Sequence, residues 1–361
     1  MFNRIIRIVA TAAGCALLLA GCSLWLDDPA RNPQTDSEAI CFSAGNALLR
    51  DDAPVSKATL SESFVEGNTF AVFGNRVISG VQTTVFGGTN GVTVTLTDHD
   101  ENSGTPPVWT YSPVKLWYWE SSGDWYDFIA VSPAGAGSVK MDIAGNLAVS
   151  THYNLASHDY DILGATYRRR GNVQDPCGTV PMVFNHLGSA VIVRILNNSE
   201  LTDVTLDEVK YKNLVVEGDS KLTLDLYGNP ERSWINTERN TSFVRLSSPD
   251  QLIEADDSYD CAPDVMIPQR LDQAAAAGNN VEDMPALYLY YTPEGSTQKE
   301  AIVRLKDICP RDSDTPITSW AAGTKYIYEI SMRLDGGVLV TVETTDWGET
   351  IEAETPGLLI Q

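Results

Sequence analysis

Histidine is scarce in this chain: four copies, His99, His152, His158 and His186, among 361 residues. None falls in a His-Glu-x-x-His pattern or accompanies a Gly-x-Ser-x-Gly elbow, so zinc-protease and serine-hydrolase chemistry lack their usual carriers. The sequence also lacks a phosphate loop and a dinucleotide fingerprint, and no cofactor is expected. Carboxylates are the opposite case. With 48 acidic residues, no one pair singles out a glycosidase, and an enzyme is the least supported reading. Basic residues are outnumbered, 25 against 48, giving a net charge of −23. Nucleic acid and anionic lipid head groups would be repelled by such a surface. Cysteine is sparse as well. Apart from Cys15 and Cys22, the six comprise Cys41, Cys177, Cys261 and Cys309. None sits in a Cys-x-x-Cys or at zinc-ligand spacing from histidine. In an oxidising compartment these four allow three full pairings, or they remain separate buried thiols. Helical pattern is nearly absent too, with residues 271–277 the one helix-like run.

What is present begins at the N-terminus. Arg4 and Arg7 precede an apolar run over residues 8–20, which is too short to cross a bilayer and suits a secretory signal. Leu19-Ala20-Gly21-Cys22 resembles a bacterial lipobox, in which Cys22 is acylated and becomes the first mature residue. The expectation is an exported lipoprotein at the cell outer membrane or cell surface. Residues 1–21 are then the signal peptide. Residues 22–37, polar and broken by proline, read as a tether.

Beyond the tether the pattern is β. Residues 92–97 alternate strictly, as do residues 221–226, which end at the turn formers Tyr227, Gly228, Asn229 and Pro230. Residues 190–196 are continuously apolar, like a central strand. Further strands are predicted over 286–291, 301–305 and 325–334. The last leads through Asp335-Gly336-Gly337 into 338–342, a hairpin signal. Many short strands separated by turns predict an all-β protein of two consecutive β-sandwiches, of transthyretin-like or Greek-key type. Arg168-Arg169-Arg170, followed by Gly171 and Asn172, breaks the pattern. The expected division is therefore residues 38–170 and 171–361.

Aromatic residues crowd the first unit, where Trp109, Trp117, Trp119 and Trp125 fall close together. Such rings could form a platform for sugars, but period-two alternation points to a sandwich core for half of them. His186, within Val183-Phe184-Asn185-His186-Leu187, reads as a strand residue with a structural hydrogen bond. His99 reads as part of a solvated loop.

The passage Trp109-Thr110-Tyr111-Ser112-Pro113 through Trp119, with Tyr126-Asp127-Phe128-Ile129-Ala130-Val131-Ser132-Pro133, resembles the fimbrillin family, the subunits of type V pili. Three further stretches agree: residues 64–74, with Asn68 where aspartate is usual; residues 180–187; and residues 320–330 with Asp346-Trp347. The resemblance implies a pilus subunit whose lipidated precursor reaches the outer membrane. An arginine- or lysine-specific protease then removes its first strand, and a strand from another subunit fills the gap. On this chain the removable strand falls within residues 38–50, with cleavage between Arg50 and Asp51. Arg31 precedes that strand, and Lys57 is an alternative site. The donor strand falls in the tail, with Ile351, Leu358, Leu359 and Ile360 as its apolar residues. Partners are thus other pilus subunits, the membrane through the lipid, and the protease. A glycan-binding surface lipoprotein and a pilus anchor that keeps its lipid are the alternatives. Cys22→Ser should abolish acylation, read as loss of the acyl mass from the mature N-terminus. An unchanged intact mass would remove the lipobox reading.

Overall fold

The computed structural model describes residues 40–46, 68–86, 90–98, 108–112, 125–136, 140–142, 146–157, 160–170, 179–198, 202–246, 250–274, 280–332 and 337–347. Among them the strands run in chain order as β1 (Cys41–Asn46), β2 (Thr69–Ile78), β3 (Val81–Phe86), β4 (Val92–Asp98), β5 (Val108–Ser112), β6 (Trp125–Ser132) and β7 (Lys140–Asp142). Next come β8 (Leu147–Asn154), β9 (Leu163–Arg170), β10 (Thr179–His186), β11 (Ser189–Asn197), β12 (Val204–Leu224), β13 (Pro230–Leu246) and β14 (Gln251–Ile253). The chain closes with β15 (Ser258–Asp260), β16 (Asp264–Met266), β17 (Ala286–Pro293), β18 (Lys299–Arg304), β19 (Thr324–Met332) and β20 (Val338–Asp346). The fold is all-β, as expected.

These strands form three sheets. The first has eight strands in the order β1-β10-β9-β6-β2-β4-β5, with β3 paired to β2. It curls until its two ends, β1 and β5, lie against each other. Inside the curl sits one core, containing Phe70, Val72, Tyr126, Phe128, Ala130 and Phe184. The alternate residues of the same strands, Ala71, Phe73, Ile129 and Val131, belong to a second core shared with the other sheets. Strand β6 is consequently buried at every position after Trp125, and its apolar residues occupy both faces, with Asp127 and Ser132 the polar exceptions.

The second sheet is organised by β12, which pairs with β17 through its first half and with β8 through its second. Between the halves Asn213 takes a left-handed φ of 63°, a conformation asparagine tolerates better than most residues. Its buried amide donates to the carbonyls of Glu282 and Met284 at 2.9 and 3.1 Å. The third sheet carries β11 beside β19 in parallel and β19 beside β20 as a hairpin. Both match the strands read from the pattern. The described part of the helix-like run, residues 271–274, is not helical. Leu271 is instead fully buried, and its N–H donates to the Thr318 carbonyl.

Asp127 lies on the outer face of β6 with no solvent exposure. Arg168 stands directly opposite on β9 and donates two hydrogen bonds to that carboxylate, at 2.5 and 2.6 Å. The guanidinium also donates to the carbonyls of Leu226 and Asp225, at 2.9 and 3.1 Å, in the turn between β12 and β13. Gly228 in that turn has a φ of +86°, and a Cβ there would come within 2.6 Å of the Arg168 side chain. Only glycine satisfies both demands. The arginine run expected to break the chain is thus the end of a strand, held by a buried ion pair. Pairing also crosses residue 170 in both directions: β7 and β8 join β12, while β10 joins β9 and β1.

Burial raises the Asp127 carboxyl above its ordinary value, and Arg168 pulls it back down. Arg168→Ala should therefore cost about 3–5 kcal/mol at neutral pH, because it strands a buried carboxylate. Without arginine the folded-state carboxyl rises further, so stability falls as pH climbs from the unfolded value through the folded one. Denaturant midpoints should show the gap to wild type narrowing as pH falls towards about 4. A gap independent of pH would assign the loss to packing.

Candidate functional site: the groove held by the first strand

Alternation governs β1 and the residue before it. Ile40 is fully buried, Phe42 is 4% exposed and Ala44 packs against the same core. Three alternate positions thus point into the curl of the first sheet, as the two-residue repeat of an extended strand requires. Phe42 sits edge-on to Tyr111 of β5 at 6.1 Å and to Phe128 of β6 at 5.7 Å. Around it, Phe70 contacts Trp109 of β5 at 5.0 Å and Phe184 of β10 at 5.2 Å. The strand is a plug between β10 and β5, seated on an aromatic floor.

What holds it there is limited. Strand β1 pairs with β10 in parallel register, from Cys41 opposite Thr179 to Asn46 opposite Phe184. It ends the hydrogen-bonded path of the sheet and has no tight hairpin to its partner, because parallel neighbours need a long connection. Burying Ile40 and Phe42 contributes about 1.5–3 kcal/mol each. Withdrawing β1 would bare that apolar floor and free the edge of β10, a combination that attracts another strand.

Tail-side geometry ends at a fixed root. Trp347 is fully buried, its N–H donates to Gly323, and its ring stacks flat on His186 with centroids 4.1 Å apart. His186 Nδ1 lies 2.5 Å from Asp161 Oδ2, the structural hydrogen bond expected for this histidine. His152 faces Asp219 and Glu217 at 2.9 and 3.3 Å and joins β8 to β12. Among the described residues no cluster of histidine, cysteine and carboxylate could hold a metal. Of the tryptophans considered as a sugar platform, Trp109 packs into the first core while Trp125, 40% exposed, lies beside Arg168. They do not line one open face.

The expected strand 38–50 is therefore observed over Cys41–Asn46. Cys22, Arg50, Asp51, Ile351, Leu358, Leu359 and Ile360 lie outside the described residues, as do Trp117, Trp119, His99 and His158. Sequence reasoning identified the strand but not its partner, since nothing in residues 179–184 marks them as its neighbour.

A family model described as fimbrillin-like matches residues 56–347. The chain belongs to the fimbrillin-like family. No curated protein matches the sequence. Solved structures similar to this fimbrillin-like chain include a candidate cell adhesion protein of Bacteroides uniformis, 16% identical over 88% of this chain and 100% of that one, with a TM-score of 0.48. Another, from Bacteroides ovatus, is 14% identical over 88% of this chain and 100% of its own, with a TM-score of 0.44. The tip fimbrial protein Mfa3 of Porphyromonas gingivalis is 13% identical over 78% of this chain and 95% of its own, with a TM-score of 0.38. Membership supports a cell-surface, fimbrial role as pilus subunit or adhesin.

Phe42→Ala in this fimbrillin-like protein should cost about 3–5 kcal/mol by leaving a cavity in the aromatic floor. Hydrogen exchange should quicken in β1 and β10 before the rest of the sheet. Uniform acceleration across all sheets would mean that β1 is an integral part of the core rather than a separable plug.

Proposed function

We propose that this fimbrillin-like protein is a non-enzymatic pilus subunit, exported as a lipoprotein on Cys22 and matured by cleavage after Arg50. Cleavage there separates β1 and the lipid from the rest of the chain in one step, whereas a cut at Arg31 would free the lipid and leave β1 in place. The vacated groove then accepts a strand from another subunit, a case of β-augmentation. The observation that carries this reading is the seating of Ile40, Phe42 and Ala44 in a core otherwise built by strands of the same sheet.

The donor is the tail beyond Trp347. Leu358 and Ile360 are two apart, so an extended tail presents that pair on one face in the same alternation as Ile40 and Phe42. The incoming strand supplies apolar side chains to the floor and main-chain hydrogen bonds to β10. The buried root at Trp347 lets the tail extend without disturbing the sheets it leaves.

Treatment with an arginine-specific protease should give a mature N-terminus at Asp51 and ladders of strand-linked oligomers in mild detergent. Arg50→Ala should keep β1 and stay monomeric, and a chain ending at Trp347 should be cut but fail to polymerise. Complete cleavage at Arg50 that leaves only monomers would overturn strand exchange. A lipid-bearing Cys22 in protein taken from assembled pili would identify an anchor instead.

A further inference from the structure

A cavity of about 320 Å³ opens where the three sheets meet. Its wall includes Leu187 between β10 and β11, Pro268 after β16 and Ala322 before β19. The remaining wall is the ladder of β12 and β13, where Ser220 stands opposite Trp234 and Leu222 opposite Arg232. Directly opposed residues share a face, so Arg232 and Trp234 project from the same side of β13, two residues apart. Lys221 and Ser233, one position out of phase, also border the cavity.

Two properties of this cavity point to a ligand. Its described lining contains no carboxylate, although the chain carries a net charge of −23. Arg232 stands at the exposed edge of β13, where its surroundings strip part of its hydration and lower its pKa, and no carboxylate among the described residues pairs with it. By contrast Arg168, Arg194 and Arg270 each hold a carboxylate. Trp234 is fixed in place: its Nε1 donates to the Leu187 carbonyl at 3.0 Å, and its ring meets Tyr153 edge-on at 6.1 Å. A rigid indole beside a cation that no described carboxylate neutralises suits a ligand with one flat apolar face and one carboxylate.

We infer that this cavity binds a carboxylated sugar, a uronate or sialate unit of a glycan, with Arg232 pairing the carboxylate and Trp234 stacking on the ring. The volume admits one monosaccharide, at the lower end for ligand pockets. A planar guanidinium forks onto a carboxylate through two parallel hydrogen bonds. Sugar C–H faces stack on tryptophan. The site is separate from the groove of β1 and does not depend on strand exchange.

The test uses the uncut full chain, titrated by ligand-observed NMR with methyl glucuronide, the methyl glycoside of N-acetylneuraminic acid, methyl glucoside, acetate and a short glutamate-containing peptide. At least one acidic glycoside should bind, with saturation transfer to its ring protons, while methyl glucoside and acetate bind about tenfold more weakly or not at all. Arg232→Ala should weaken the acidic sugar by about tenfold or more, with Arg232→Lys in between. Circular dichroism and the denaturant midpoint should stay those of wild type, because Arg232 lies at the surface. Equal binding of acid and neutral sugar, no binding of either acidic glycoside, or indifference to Arg232→Ala would overturn the assignment. Acetate or the peptide binding as tightly as the sugars would do so too, by showing a simple carboxylate site.

Discussion

Strands β2 and β6 are buried on both faces, and the rest of the molecule is arranged to meet that demand. A strand with apolar residues on both of its faces needs cover above and below, because exposing either face would cost several kilocalories per mole. One face is covered by curling the same sheet until β1 meets β5. The other is covered by β8 and β12, whose core continues into the third sheet. The two solutions differ in kind. The second is made by long, many-partnered strands and a buried ion pair, while the first is closed by a six-residue strand with a single ladder partner.

That difference separates the durable core from the one whose closing strand is proposed to be exchanged. Asp127 and Arg168 tie β6, β9 and the β12–β13 turn into one unit, and a buried pair of this kind is costly to break from either side. Trp347 and His186 likewise root the chain's end in the core. By comparison, β1 contributes apolar plugs at alternate positions and little else. A different strand with the same alternation could replace it without disturbing the ion pair or the aromatic stack. Stability resides in one core, and assembly is argued to use the other.

Much of this was legible in the residues. Strict alternation at 92–97 and the hairpin around Gly337 correspond to β4 and to the β19–β20 pair. The apolar run at 190–196 matches β11, which is indeed flanked by neighbours on its sheet. The arginine run at 168–170 misled, because charge in a strand usually marks solvent and here one of the three meets a buried aspartate. The helix-like segment at 271 misled for a related reason: Leu271 answers to a tertiary core rather than to its local pattern. The cavity beside Arg232 left no local signal, since its walls come from five separate stretches of chain.

Local pattern therefore determined the class of element, the acidic surface and the family, because alternation, turn chemistry and composition act over a few residues and are written in order along the chain. Which strand pairs with which, and which charge is buried, was decided only by tertiary structure. Strand β1 shows the reason. Its own residues require one buried face, but β10, lying far along the chain, supplies the edge, and β5 and β6 supply the floor. Hydrogen bonds along a ladder are indifferent to sequence, so the partner was chosen by the shape of the remaining core.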